Sequence, residues 1–140
     1  MIANFHAKAI QAAGGTLVAC FDVVPAAADK VAVAYPGCKA YYTLEEFVAD
    51  KAIDIVTIGT PSGAHLEPAI AAAEAGKHII VDKPLEVTLE KCNQIIAACK
   101  KNNVLVATIF QSRFHDSSLT LKAAVDAGRF GRLTLGDAIV

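Results

Sequence analysis

The stretch GKHIIVDKPLEVT, residues 76–88, passes from apolar to charged within a few positions. Its run His78-Ile79-Ile80-Val81 reads as a short buried strand. The run ends abruptly at Asp82, Lys83 and Pro84. A Lys-Pro surface turn would account for that ending. The other reading is the carboxyl edge of a parallel sheet, where ligands of such folds bind. A lysine there can hydrogen-bond a substrate hydroxyl and help move its proton, and a cis Lys83-Pro84 bond would aim it sharply.

The flanking sequence repeats the same strand-helix alternation. Downstream, 88–102 is amphipathic, with Leu89, Cys92, Ile95, Ile96 and Cys99 at helical spacing, and VLVATIF at 104–110 is a further strand. Residues 117–127 read as a helix before Gly128. Upstream, 64–75 is a helix closed by Gly76, and IDIVTIGT at 53–60 is the clearest buried strand. TLEE at 43–46 is a capping box: Thr43 can cap a short helix and Glu46 can reach back. A short strand is expected near CKAYY, and a helix over PAAADKVAVAY, where Pro25 suits a first turn. TLVACF at 16–21 is a strand ending at Asp22, and 4–13 is a helix stopped by Gly14-Gly15. Such repeated units imply a parallel sheet with right-handed crossovers and helices on both faces.

Composition agrees. Of 140 residues, 54% are hydrophobic and 19% charged, which excludes a disordered chain and suits strands buried on both faces. No apolar run approaches a membrane span. A net charge of −1 points to neither nucleic acid nor an anionic membrane. The four cysteines form no C-x-x-C pair, so neither a zinc site nor a thioredoxin motif is expected, and a reducing cytoplasm is the fitting compartment. The start MIANFHAKAI lacks the layout of a signal peptide.

Four candidate sites fall at successive strand ends. Asp22 ends one strand; an acid there accepts from the adenosine ribose hydroxyls in a dinucleotide-binding sheet, or is a turn aspartate. GTPSGAH at 59–65 offers small residues, the hydroxyls of Thr60 and Ser62 and the start of a helix, whose free N–H groups face the same edge. Otherwise Ser62 is a helix cap and His65 a helix-surface residue. Asp82-Lys83-Pro84 is the third. In QSRF at 111–114, Arg113 can reach a ligand or pair with a carboxylate. A single turn means little, but four such sites along one sheet edge argue for a ligand.

IANFHAKAI, DIVTIGTPSGAH, EAGKHIIVDKPLEVT, and QSRF followed by GRFG together resemble the Gfo/Idh/MocA oxidoreductases, the glucose-fructose oxidoreductase and inositol dehydrogenase superfamily. The likeness runs over essentially the whole chain, in order and spacing. It implies a Rossmann-like α/β domain with a doubly wound parallel sheet that holds NAD or NADP, followed by an α/β substrate domain. The implied chemistry is reversible hydride transfer at a sugar, cyclitol or related carbinol carbon. By position, Lys83 matches the family's catalytic lysine in E-K-P. Asp82 takes the place of the glutamate that lies by the nicotinamide ribose, one methylene shorter. Thr60, Pro61, Ser62 and His65 match the cofactor-lining T-P-N-x-x-H segment, with Ser62 for asparagine. Asp22 matches the ribose-binding acid, and no arginine follows it to hold a 2′-phosphate, which favours NAD over NADP. Arg113 matches an arginine near the nicotinamide end.

The same resemblance sets the expected limits of the chain. The family opens with a strand and G-x-G-x-x-G/A, whose glycines admit the pyrophosphate. Met1, Ile2 and Ala3 fall on the last three positions of that motif, so the sheet is expected to lack its first strand. Residues 1–130 are expected to be the incomplete nucleotide domain and 131–140 the start of the substrate domain. The family's later catalytic aspartate and histidine belong to that second domain. The expected function is the nucleotide-binding part of an NAD-dependent sugar or cyclitol dehydrogenase, a homo-oligomer when full length, with the 140-residue piece inactive by itself. The rival is a non-catalytic nucleotide-sensing or regulatory module on the same fold.

Overall fold

A computed structural model describes residues 2–137. Two compact units divide the chain, one running to Ile109 and the other beginning at Phe110.

The first unit alternates helix and strand as its periodicity requires. Its elements are α1 (Ile2–Ala12), β1 (Ala19–Phe21), α2 (Pro25–Ala34), β2 (Lys39–Tyr41), α3 (Leu44–Ala49), β3 (Ile55–Ile58), α4 (Leu66–Glu74), β4 (His78–Val81), α5 (Leu89–Lys101) and β5 (Val106–Thr108). Local signals set several boundaries. Pro25 occupies the first turn of α2. The Thr43 hydroxyl accepts from the Glu46 N–H at the start of α3, and the Thr88 hydroxyl accepts from the Lys91 N–H at the start of α5. Glu46 does not reach back to the backbone; its carboxylate accepts from the Thr43 hydroxyl.

Every strand pair is parallel. β1 pairs with β2, and β3, β4 and β5 form a second ladder in that order, with Val56 opposite Ile79 and Ile79 opposite Val106. Among the described residues no ladder joins β1 to β3, so the strands form two ladders rather than the expected single sheet. Within each ladder the carboxyl ends point the same way, because each strand is parallel to its neighbour.

The core lies between β3-β4 and the helices α4 and α5. Val56, Ile58, Ile79, Val81, Ala69, Ala72, Ala73, Ile95 and Cys99 are buried together. The three alanines of α4 let α5 and the sheet approach closely, and the larger Ile95, Ile79 and Val81 fill the remaining space. Burying a side chain of that size stabilises by about 1.5–3 kcal/mol. Two apolar residues depart from expectation. Ile55 is 53% exposed and Leu89 82% exposed. The two-residue period of a strand sends Ile55 to the face opposite Val56 and Ile58. Leu89 is the first residue of α5, outside the buried stripe.

The second unit contains a 3-10 turn, Gln111–Phe114, and α6 (Asp116–Asp126). No helix of the described residues is long and apolar enough to cross a membrane.

Candidate functional site

The loops that leave β1, β3 and β4 hold most of the residues picked out from sequence, and those after β3 and β4 lie side by side at one end of their ladder. After β1, the Asp22 carboxylate folds back so that Oδ1 accepts from the Val24 N–H at 2.9 Å. Its other oxygen has no donor among the described residues, so it can accept from a ligand's hydroxyls. The next two residues, Val23 and Val24, are exposed and uncharged. Beside it, at the end of β2, the Tyr42 hydroxyl donates to Asp29 at 2.7 Å, and this bond raises the Tyr42 pKa.

The loop after β3 closes on itself. The Thr60 hydroxyl donates to the Ala64 carbonyl at 2.9 Å. Gly63 sits at φ +90°, a left-handed conformation open to glycine at low cost. At Gly59 a Cβ would lie 3.1 Å from the Ile2 side chain, so the start of α1 packs against this loop through Ile2 and His6, while Ala3 is exposed. Pro61 and Ser62 are exposed. Ser62 does not cap α4.

His65 faces inward rather than lining the surface. It is 1% exposed. Its Nδ1 lies 2.8 Å from the Pro84 carbonyl oxygen and 3.3 Å from that of Leu85, and its Nε2 lies 2.9 Å from the Thr60 carbonyl oxygen. The ring therefore joins the loop after β3 to the loop after β4.

The loop after β4 carries Asp82, Lys83 and Pro84, with a cis Lys83-Pro84 peptide. The Asp82 N–H donates to the Ile58 carbonyl at 2.9 Å, which ties the strand end to β3. Asp82 Oδ1 accepts from the Lys83 N–H at 2.9 Å. The Lys83 side chain is exposed, and its Nζ makes no hydrogen bond among the described residues.

Glu86 was not singled out from the sequence. It is 5% exposed and closes the site from beneath. Its carboxylate accepts from the Val87 N–H at 2.6 Å and the His65 N–H at 3.3 Å, with the Lys91 ammonium 3.9 Å away. The Val87 N–H, then Lys91 and the N–H groups of His65 and Leu66, hold its carboxyl below the usual range against the opposing effect of desolvation. This alters one expectation: the N–H groups at the start of α4 are not all free for a ligand, because Glu86 occupies that of His65. No spacing rule points to this residue, whose partner across the two loops, His65, lies about twenty positions upstream.

Arg113 lies in the 3-10 turn of the second unit, with its guanidinium 5.8 Å from the centre of the Phe114 ring.

The residues present suit a dinucleotide. An acid with an unengaged oxygen follows β1, small residues follow β3, and the start of α1 packs onto the loop after β3. Comparison with known proteins agrees. Residues 1–110 match the Gfo/Idh/MocA model, described as an oxidoreductase family with an NAD-binding Rossmann fold. An inositol 2-dehydrogenase of Rhizobium meliloti is 33% identical over 135 residues, covering 96% of this chain and 40% of its own. The scyllo-inositol 2-dehydrogenase (NADP(+)) IolW of Bacillus subtilis is 33% identical over 94 residues, covering 67% of this chain and 26% of its own. Among solved structures, the WlbA dehydrogenase from Bordetella pertussis in complex with NADH and UDP-GlcNAcA superposes with a TM-score of 0.89 at 30% identity, covering 94% of this chain and 40% of its own. The chain thus spans well under half the length of these relatives. Family match, strand order and edge loops agree: the chain belongs to the Gfo/Idh/MocA oxidoreductases and carries their NAD-binding Rossmann fold.

Proposed function

We propose that this chain is the cofactor-binding part of an NAD-dependent dehydrogenase acting on a sugar, cyclitol or related carbinol carbon. The observation that carries the reading is Lys83: an exposed ammonium, without a hydrogen-bond partner among the described residues, on a backbone held at the carboxyl end of the central strand of its ladder. What sets it apart from other exposed lysines is this position at a strand's carboxyl end, where ligands of such folds bind.

The roles of the other residues follow from position. Asp22 would accept from the adenosine ribose hydroxyls through its unengaged oxygen, and its charge would repel a 2′-phosphate. Ile2, Ala3, Thr60, Pro61 and Ser62 would line the path of the cofactor where small or exposed groups let it come close. Asp82 would stand by the nicotinamide ribose, with Arg113 assigned to the nicotinamide end. The nicotinamide, when bound, supplies the hydride chemistry. Lys83 would hydrogen-bond the substrate hydroxyl and help move its proton. Both ring nitrogens of His65 face backbone carbonyl oxygens within the protein, so its part is to hold the loops. The stretch from 131 onward would begin the substrate domain, whose residues select the substrate, and the intact protein would be a homo-oligomer.

The test is to express the intact protein that carries this sequence and follow nicotinamide absorbance with a panel of sugars, cyclitols and nucleotide sugars. Turnover with NAD exceeding that with NADP is expected for at least one substrate. Binding of NAD without turnover of any of them would favour a nucleotide-sensing module instead.

A further inference from the structure

We propose that His65 and Glu86 are positioning residues that clip the Lys83 loop onto the loop after β3 and so set the direction of the Lys83 side chain. The inference rests on the reading of Lys83 given above.

The clip has two straps, one from the His65 ring and one from its backbone. In one, the ring of His65 reaches the carbonyls of Pro84 and Thr60 at 2.8 and 2.9 Å. In the other, the His65 backbone N–H donates to the Glu86 carboxylate at 3.3 Å, and that carboxylate also accepts from the Val87 N–H. Both bonds across the gap are therefore accepted by the 84–86 segment, one at the Pro84 carbonyl facing the His65 ring and one at the Glu86 carboxylate facing the His65 N–H. Both side chains are buried, His65 at 1% and Glu86 at 5% exposure, so water does not compete for these bonds. Both ring nitrogens face acceptors, so any N–H the ring carries has an oxygen to receive it.

The consequence falls on Lys83. Its own N–H is held by Asp82, and the carbonyl of the next residue, Pro84, is held by His65. The backbone is thus pinned on both sides of a side chain that is itself unrestrained by the protein. Loops at strand ends are the mobile parts of such folds, and a misplacement of about 1 Å at a reacting group can cost about 10²-fold in rate. A buried histidine that merely filled space would not need a carboxylate returning to its own N–H.

Two substitutions separate the two ring contacts of the first strap, because an asparagine amide nitrogen takes the place of Nδ1 and a glutamine amide nitrogen that of Nε2. In the intact protein, His65→Asn can keep the bond to Pro84, whereas His65→Gln can keep only the bond to Thr60. For both variants one would measure kcat, NAD affinity by titration, and hydrogen exchange in peptides spanning 59–66 and 82–88. With His65→Gln, exchange in 82–88 should quicken and kcat should fall by about 10²-fold, with NAD affinity nearly unchanged. His65→Asn should stay close to wild type in both. Equal losses in the two variants, unchanged exchange, or NAD affinity falling in step with kcat would overturn the clip. Should the His65 variants not fold, Glu86→Gln carries the same test: faster exchange at 65–66 and 87 with lowered kcat supports the clip, and no change in either overturns it. If the wild-type protein turns over nothing, the reading of Lys83 fails, and exchange alone decides: quickened in Gln and not in Asn supports the clip, and any other pattern overturns it.

Discussion

Replacing Lys83 with alanine tests the centre of the proposed chemistry. The side chain is exposed, and no hydrogen bond from Nζ to the described residues is lost with it. The bonds that hold the loop, Asp82 to the Lys83 N–H and His65 to the Pro84 carbonyl, involve backbone atoms that the substitution leaves in place. Lys83→Ala should therefore change the unfolding free energy by no more than about 0.5 kcal/mol. Its effect on rate is separate. A positioned acid-base group contributes about 10²–10⁴-fold, equivalent to about 3–5 kcal/mol of barrier. kcat of the intact protein should fall by that much, while NAD affinity holds because the adenosine end binds near Asp22. Lys83→Arg should restore little, since a guanidinium is bulkier and stays protonated. The assay is steady-state turnover with the best substrate, together with NAD titration and thermal unfolding of all three proteins. Near-normal turnover in Lys83→Ala, or a loss confined to NAD affinity, would refute the reasoning and return Lys83 to a cofactor or surface role.

Three further outcomes are expected. Asp22→Ala should lower the preference for NAD over NADP by about tenfold in kcat/KM, because like charges about 4 Å apart repel by about 1–4 kcal/mol between bulk water and a protein surface; an unchanged ratio would make Asp22 a turn residue. Ile95→Ala should cost about 2–5 kcal/mol in urea unfolding, and towards the upper end, because Ile95 is fully buried among α4 alanines too small to fill the cavity. Glu86 gives a pH dependence. Its carboxyl is held low in the folded protein, chiefly by the Val87 N–H, so its contribution to stability is present above the unfolded value of about 4.3 and is lost as pH falls through the lower folded value. The stability gap between wild type and Glu86→Gln should accordingly be full near neutrality and close below about pH 4. A gap that widens on acidification would contradict the placement of this carboxylate.

The order of elements follows from local patterns in the chain. His78–Val81 is a strand where its apolar run says it should be, and helix α5 begins behind Thr88 and carries Ile95 and Cys99 on its buried stripe. The loops after β3 and β4 follow from the same patterns, because neighbouring parallel strands put their carboxyl ends on one side. Asp22, Thr60 and Lys83 were therefore legible as residues that follow strand ends. What those patterns do not contain is the direction in which a loop side chain turns. His65 stands next to a helix start and has the look of a surface residue, and Glu86 sits in a polar stretch with no periodicity. Only when the segment after Pro84 packs beneath the start of α4 does the carboxylate meet the His65 N–H and the ring meet the Pro84 carbonyl. Backbone propensity and hydrophobic period act over a few neighbouring residues, so they settle strands, helices and the sheet edge. A bond between groups about twenty positions apart depends on where two loops come to rest against each other, and the tertiary structure alone decides that.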